Sequence, residues 1–295
     1  MRIQKRIIRF AILLACAALA TTAAAQMQNQ PVSIKPITGG VYWTQGGAGG
    51  NTGIVIGKTG VIVIDAKTTP ESAKEMLDGI AKLTSEPITD VILTHSDRDH
   101  VNGLAAFPKG LRIIAQENCK KEIEETTNDK EMPAPKDYIP TMTVDKKKSL
   151  TIDGVRFELF HWAPAHTDGD LIIYLPEQKI VFAGDLIVSL NPFPLIHLDK
   201  HGTSAGWLES VKAMIALNAD TYVSGHGDLQ TKADLQTRLD RVQDRYNKIK
   251  ELVAQGKTLE EVRTALNDKP VPPLPGAPHF PQFTETTYIE LGGKP

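Results

Sequence analysis

The segment Thr94–His100 places two histidines and two aspartates directly after the apolar run Val91–Leu93. An apolar run of this kind is typical of a buried strand, so the polar side chains follow on the loop that leaves it. Carboxylates crowded on one loop stay charged only where cations neutralise them. Imidazole and carboxylate together suit divalent transition metals. The segment therefore predicts a metal site at a strand end, with enough ligands for two ions.

Three later segments repeat this pattern of an apolar run that ends near a potential metal ligand. Each of the three side chains, His166, Asp185 and His226, stands at or near a glycine. A glycine lets the backbone turn sharply and present the neighbouring side chain. The sequence therefore predicts further ligands on loops that leave different strands.

In the order of these residues the chain resembles the metallo-β-lactamase superfamily of binuclear metallohydrolases. That family has a strand, the motif H-x-H-x-D-H, and then a histidine, a bridging aspartate and a last histidine. The resemblance spans roughly residues 35 to 230. Seven residues of this chain fall on the pattern: His95, Asp97, Asp99, His100, His166, Asp185 and His226.

The resemblance implies an α/β fold, an αββα sandwich of two mixed β-sheets flanked by helices. It assigns residues 26–230 to a metallo-β-lactamase-like domain and leaves 231–295 as a helical and Pro-rich C-terminal extension packed on it. Local signals agree: Thr69–Glu71 predicts a helix start and Asp153–Gly154 a hairpin turn. The polar, Pro-containing stretch Asn128–Lys148 predicts a surface loop.

By resemblance, the seven residues form two metal sites that share one ligand. One metal would bind His95, Asp97 and His166, the other would bind Asp99, His100 and His226, and Asp185 would bridge them. A water between two metals loses a proton near neutral pH, which supplies a bridging hydroxide to attack the substrate. Asp99 and Asp185 are therefore the predicted catalytic residues, and no serine or cysteine nucleophile is needed.

Asp97 departs from the family pattern, which has histidine at this position. With Asp99, Asp185 and one hydroxide, the ligands would carry four negative charges and just neutralise two divalent ions. We therefore expect a less acidic bound water and a site that accepts harder ions. Zinc is the leading prediction for the two divalent ions, and iron or manganese is the alternative.

Several other residues are candidates for supporting roles. Asp65 ends an apolar strand, where a buried acid needs a partner. The resemblance implies that Asp65 and Thr94 orient a metal-binding histidine or its loop, with Asp170 as a further candidate. The run Gly46–Gly50 predicts a flexible turn, and the corresponding loop of zinc β-lactamases folds over substrate.

The remaining histidines and the cysteine outside the leader carry less information. His161 lies in a strand-like run and predicts core packing. His197 and His201 flank Asp199 in a segment that fits a pocket lining and a solvated loop equally well. Cys119 predicts half-buried packing rather than a nucleophile.

The first 25 residues have the features of a secretory signal peptide: a basic start, the apolar run Phe10–Ala20, and small residues before a predicted cleavage after Ala25. Cys16 offers an alternative, lipid attachment. We therefore expect a periplasmic or secreted protein without a membrane span after cleavage. The leader carries four basic residues and no acid, so its removal lowers the net charge from −2 to −6. That charge argues against a nucleic-acid partner.

Three functions follow from these predictions. The first is an exported metal-dependent hydrolase for a small-molecule substrate: a β-lactam, lactone, ester, thioester or phosphoester. A bridging Asp185 is unlike the zinc β-lactamases and closer to glyoxalase II and the lactonases, although Val188 stands where resembling lactonases have tyrosine. The second is an iron-dependent oxidoreductase resembling persulfide dioxygenases. The third is a non-catalytic binding protein with a degenerate site.

Overall fold

The computed structural model describes residues 30–129, 133–269 and 281–293. Within these ranges two β-sheets pack face to face, and helices cover the outer face of each sheet. The predicted signal peptide, His279 and most of the Pro-rich run lie outside the described residues.

The first sheet contains seven strands arranged in chain order. They are β1 (Ser33–Thr38), β2 (Val41–Gln45), β3 (Thr52–Ile56), β4 (Val61–Ile64), β5 (Ile88–Ile92), β6 (Arg112–Gln116) and β7 (Met142–Val144). Strands β1 to β4 pair antiparallel, and β4 to β7 pair parallel. Strand β4 is buried along its whole length because both faces of the sheet are covered.

The second sheet contains five strands in the order β12-β11-β10-β9-β8. They are β8 (Lys147–Ile152), β9 (Val155–Phe160), β10 (Ile172–Leu175), β11 (Ile180–Phe182) and β12 (Thr221–Val223). Only the pairing of β11 with β12 is parallel. The β8–β9 hairpin turns at Asp153 and Gly154, whose φ angles of 47° and 84° are those that a tight hairpin turn requires.

Seven α-helices occur in the described residues. They are α1 (Pro70–Leu83), α2 (Arg98–Val101), α3 (Glu117–Thr126), α4 (Ser204–Ile215), α5 (Lys232–Ala254), α6 (Leu259–Ala265) and α7 (Phe283–Glu290). Helix α1 begins as predicted, because the Thr69 side chain accepts a hydrogen bond from the Ser72 backbone N–H and Pro70 opens the first turn. None of these helices is both long and apolar enough to cross a membrane.

Apolar side chains form three layers that define the sandwich. The middle layer joins the two sheets, with Ile62 and Ile92 from one and Phe157 and Phe182 from the other. An outer layer packs α1 and α3 on the first sheet. The other outer layer packs α4 to α7 on the second sheet around Trp207. The predicted αββα sandwich of two mixed sheets is therefore confirmed.

The stretch Asn128–Lys148 was wrongly predicted as loop throughout. It contains a 3₁₀ turn at Lys136–Tyr138, the strand β7, and the start of β8. The Tyr138 hydroxyl donates a hydrogen bond of 2.6 Å to the Phe107 carbonyl, and β7 pairs with β6. These partners lie far away in sequence, so local composition carries no sign of them.

The C-terminal helices pack onto the segment that leads from β11 to α4. The Phe283 ring stacks on the Phe193 ring, with ring centroids 5.6 Å apart. The Arg245 guanidinium lies over the Phe193 ring, 4.5 Å from its centroid. The Glu290 carboxylate accepts hydrogen bonds of 2.7 and 3.1 Å from the backbone N–H groups of Ser204 and Ala205. These contacts cap α4 and attach α7 to α4 and to the segment that precedes it.

Candidate metal centre

All seven predicted residues meet at one edge of the sandwich, where loops leave β5, β9, β11 and β12. The first loop follows β5 and runs into α2, whose N-terminal turn places Asp99 beside His100. The Thr94 carbonyl accepts a 2.6 Å hydrogen bond from the Leu171 N–H, which ties this loop to the second sheet. The seven side chains form three overlapping groups whose ligand atoms lie within 4.8 Å of one another.

The first group contains His95, Asp97 and His166. Asp97 Oδ2 lies 3.6 Å from His95 Nε2 and 3.1 Å from His166 Nε2. The loop of His166 is held by Asp170, whose carboxylate accepts a 2.8 Å hydrogen bond from the His166 backbone N–H. These three are the residues expected to bind one metal.

The second group contains Asp99, His100 and His226. Asp99 Oδ2 lies 2.9 Å from His226 Nε2 and 3.7 Å from His100 Nε2. Gly50 packs against this group, because a Cβ there would lie 2.2 Å from the His100 ring. These three are the residues expected to bind the other metal.

Asp185 lies between the two groups. Its Oδ1 is 3.2 Å from His100 Nε2, its Oδ2 is 3.4 Å from His226 Nε2, and it forms a third group with His95 and His100. A Cβ on Gly225 would lie 1.9 Å from Asp185 Oδ1, so only glycine leaves room for the carboxylate in this position. Among the described residues that could hold a metal, Asp185 shares a group with His95 of the first set and His100 of the second, the position expected of a bridging ligand.

Hydrogen bonds at Nδ1 orient the buried histidines. The Nδ1 atoms lie 2.8 to 2.9 Å from an oxygen in each case: Thr94 Oγ1 for His95, Asp65 Oδ2 for His100, and the Leu195 carbonyl for His166. Asp65 also accepts from the backbone N–H and the hydroxyl of Thr94, at 2.8 and 2.7 Å. With Nδ1 engaged in this way, Nε2 of each ring faces the site as the potential ligand.

The carboxylates strongly change the pKa values of these histidines. Burial lowers the pKa of His100, but nearby carboxylates, Asp99 foremost, outweigh burial and hold it well above its usual value. Burial also lowers the pKa of His166, yet Asp97 raises it to about 10. Burial lowers the pKa of His226 too, but Asp185 and Asp99 raise it to about 9. The protein alone therefore pairs imidazolium with carboxylate, and metal ions would take the place of the Nε2 protons.

The donor set fits divalent transition metals. His95 Nε2 is buried and has no hydrogen-bond partner among the described residues, which is costly unless something else binds it. Each group combines imidazole nitrogen with carboxylate oxygen, the ligand types of zinc and of non-haem iron or manganese. The residues present thus fit a pair of metal ions.

Lys200 contacts the site, although no sequence pattern predicts a role for it. Its Nζ lies 2.6 Å from Asp97 Oδ1, 2.9 Å from Ser96 Oγ and 3.7 Å from Glu122 Oε2. The Ser96 hydroxyl donates a short hydrogen bond to Glu122. Burial raises the pKa of the Glu122 carboxyl, although Lys200 and Ser96 act in the opposite direction. Lys200 stands about a hundred residues from Asp97, so no local spacing could have revealed the pair.

The histidines and the cysteine without a predicted metal role divide between site and surroundings. His197 lines the site, with Nε2 3.4 Å from Asp97 Oδ2 and its ring edge-on to His166, whereas His201 is exposed. His161 is half-buried rather than in the core, and its Nδ1 lies 2.8 Å from the Asp170 carbonyl. Cys119 is fully buried, and burial raises the pKa of its thiol well above the usual value.

The loop Gly46–Gly50 lies beside the second group. Lys67 is fully buried beneath it and donates hydrogen bonds of 2.9 Å to the carbonyls of Gly46 and Gly50. Burial lowers the pKa of Lys67 to about 8. The Gly50 N–H also donates a 3.0 Å hydrogen bond to the Asp99 carbonyl. The loop is thus fastened at both ends next to a predicted metal ligand.

Two cavities give access to the metal groups. One of about 670 Å³ is lined by Asp97 and Asp99 and by the apolar residues Ile196, Leu198 and Pro281. A smaller one of about 190 Å³ lies between the glycine loop and the second group. A further cavity, of about 810 Å³ near the start of α1, contacts none of the seven residues. The first cavity therefore offers the larger space for a substrate beside the carboxylates.

Known proteins share this sequence pattern and fold. The pattern of the metallo-beta-lactamase superfamily matches residues 46–226. A 2,4-dinitroanisole O-demethylase subunit alpha from Nocardioides sp. (strain JS1661) is 27% identical over 197 residues, which cover 66% of this chain and 57% of that subunit. A type 2 metallo-beta-lactamase from Bacillus sp. (strain 170) is 24% identical over 199 residues, 64% of this chain and 72% of that enzyme.

A solved metallo-beta-lactamase from Pontibacter korlensis has the same fold. It aligns with a TM-score of 0.62 at 21% sequence identity, over 72% of this chain and 99% of that one. The chain spans little more than half of the length of the demethylase subunit, at 57%. The superfamily pattern, by contrast, covers more than half of the present chain and contains all seven converging residues. The chain therefore belongs to the metallo-beta-lactamase superfamily.

Proposed function

We propose that this protein is an exported metal-dependent hydrolase that acts on a small carbonyl-type substrate. Its superfamily relatives support a metal-dependent hydrolase in general. The single observation that carries the proposal is the meeting of seven side chains from four loops, with Asp185 in reach of both groups. The export part rests on the signal-like leader, residues 1–25.

The chain's own residues would hold the metals and admit the substrate. His95, Asp97 and His166 would hold one ion and Asp99, His100 and His226 the other, with Asp185 between them. Ions bound there would polarise a substrate oxygen and lower the pKa of bound water. Asp99 also lines both cavities at the site, so a substrate approaches the metals beside it. Asp99 is therefore placed to exchange a proton with a substrate group.

The larger cavity favours a substrate that carries an apolar portion. Ile196, Leu198 and Pro281 form an apolar wall of this cavity, which Asp97 and Asp99 also line. Burying an apolar group against such a wall contributes about 25 cal/mol per Å². We therefore infer a β-lactam, lactone, ester or thioester whose carbonyl faces the metals while its apolar part lies along this wall.

A substrate panel tests the hydrolase directly. Zinc-loaded protein would be assayed with a chromogenic β-lactam, an aryl lactone, a nitrophenyl ester and a thioester. We expect turnover of at least one of them and a fall in rate on the order of a hundredfold or more when the metal is chelated. Asp185→Asn should match chelation, whereas Asp220→Asn, on an exposed residue, should not. Zinc-loaded protein that turns over no member of the panel would count against this proposal.

The Asp97 carboxylate supports a second candidate, an iron-dependent oxidoreductase. A third anionic ligand makes the donor set harder, which favours iron over zinc more than the usual histidine does. Iron in protein purified from its native compartment, together with oxygen uptake on addition of a persulfide, would favour this candidate. A folded protein without metal or turnover would instead favour a binding protein with a degenerate site.

A further inference from the structure

The two oxygens of Asp97 have different partners. Oδ2 points to the metal group, where the Nε2 atoms of His95 and His166 lie 3.6 and 3.1 Å away. Oδ1 is bound by the Lys200 ammonium at 2.6 Å. An ammonium at this distance makes a charge-assisted hydrogen bond, one of the stronger contacts a carboxylate can form. Asp97 is thereby left with one oxygen to offer to a metal.

Lys200 is itself held in place by the surrounding structure. Its side chain is only 23% exposed, and its Nζ contacts Ser96 as well as Asp97. Glu122 on α3 lies behind Ser96, 3.7 Å from Nζ. The backbone is fixed too, because the Lys200 carbonyl accepts a 2.9 Å hydrogen bond from the Asp168 N–H. A lysine fixed in this way can set the orientation of its carboxylate partner.

The contact between Lys200 and Asp97 also balances charge. An aspartate where the family has histidine adds one negative charge to the metal ligands. Lys200 brings one positive charge to the other oxygen of the same carboxylate. The pair is neutral, as an uncharged histidine would be. Glu122 lies 3.7 Å from the ammonium and is also linked to it through the Ser96 hydroxyl.

We propose that Lys200 is a positioning residue that makes Asp97 equivalent to the family's histidine. It holds Oδ1, so that Asp97 presents Oδ2 alone to the metal, and it offsets the charge that Asp97 adds. This inference rests on the metal centre of the proposed function. It implies that residues 97 and 200 act as a unit, so that changing one changes the effect of the other.

A double-mutant cycle on zinc affinity tests the unit. Metal-free wild type, Asp97→His, Lys200→Met and the double variant would be titrated with Zn²⁺ against a chromophoric chelator. In Asp97→His, the Lys200 ammonium lies near the zinc ion without the Asp97 carboxylate to neutralise it. The zinc affinity of the site formed by His95, residue 97 and His166 should therefore fall about tenfold or more. Adding Lys200→Met should restore affinity to within about threefold of wild type, because the double variant has the usual family charge.

Lys200→Met in the Asp97 background should change zinc affinity far less, since loss of the orienting contact opposes the loss of a repelling charge. Lys212→Met, on the exposed face of α4, serves as the lysine control in both backgrounds. Thermal unfolding of each metal-free variant would confirm that it is folded. Equal effects of Lys200→Met in the two backgrounds would overturn the proposal while leaving the metal centre intact. If wild type bound no zinc at all, the metal centre and this inference would fall together.

Discussion

At the scale of single residues, the candidate metal centre depends on side chains outside the seven predicted ligands. Asp65 shows this: it ends a buried strand in a left-handed backbone conformation with φ of 62°, and its carboxylate accepts from both Thr94 and His100. Three contacts offset the cost of burying the acid, and one of them turns His100 Nε2 toward the site. The sequence indicated only that an acid at the end of an apolar run needs a partner, and the family resemblance implied that this partner is a metal-binding histidine or its loop.

The raised pKa values of His166 and His226 predict how the metal-free protein responds to pH. An unfolded histidine has a pKa of about 6.5. When folding raises the pKa, protonation of the histidine stabilises the fold fully below about pH 6.5, and this contribution is lost as the pH rises through the folded pKa. The folded values are about 10 and about 9, so the loss falls between about pH 6.5 and 10. Chelated protein should therefore unfold more easily at pH 9 than at pH 6.

The measurement is thermal unfolding of chelated and zinc-loaded protein across this pH range. Zinc bound at this site would replace the Nε2 protons, so the rise in melting temperature on adding zinc should be larger at pH 9 than at pH 6. The same comparison on His166→Gln should show a smaller pH effect. A zinc-induced rise that is equal at the two pH values would contradict the pairing of imidazolium with carboxylate.

At the scale of elements, local signals predicted what local chemistry determines. The hydroxyl and proline before α1, and the Asp153–Gly154 turn, each specify a backbone shape through one or two residues. Strand β7 gave no such signal, because it forms by pairing with β6 across a connection of more than twenty residues. The role of Lys200 could not be predicted for the same reason, because its partner Asp97 is distant in sequence.

The glycine loop is the element whose mobility the structure allows us to test. Lys67→Met removes the two hydrogen bonds that hold the carbonyls of Gly46 and Gly50. We expect faster backbone amide exchange over residues 45–52, with metal content unchanged, because the metal groups keep all their side chains. Lys74→Met, on an exposed lysine of α1 paired with Asp78, is the matched control. Unaltered exchange in Lys67→Met would show that the loop is held by other contacts.

At the scale of the whole molecule, the C-terminal helices support the segment that carries site residues. Phe283 stacks on Phe193, which stands three residues before Ile196 in the cavity wall. The carbonyl of Leu195 orients His166 from the same segment. The superfamily pattern ends at residue 226, so these helices add a support that the pattern does not include. The C-terminal extension was expected to pack on the domain, but no motif indicated that it would contact the segment around Phe193.

Phe283→Ala tests the support. Phe283 is 4% exposed, and truncating a buried phenylalanine costs about 3–5 kcal/mol in free energy of unfolding. We expect the free energy of unfolding, measured in urea, to fall by this amount. We also expect weaker substrate binding, because the segment with Ile196 no longer packs against the Phe283 ring. Ile289→Ala, on a 37% exposed residue of the same helix, should cost about 1 kcal/mol or less. Equal losses of unfolding free energy in the two variants would mean that the stacking of Phe283 on Phe193 does not stabilise this segment.

Metal content per chain shows whether these seven residues form a two-metal centre. It would be measured by elemental analysis of protein purified from its native compartment without chelators, with His226→Ala and Asp220→Asn alongside. Two ions per chain in wild type and Asp220→Asn, with fewer in His226→Ala, is the predicted result. Folded wild-type protein that holds no metal, and takes up none when zinc is supplied, would contradict it.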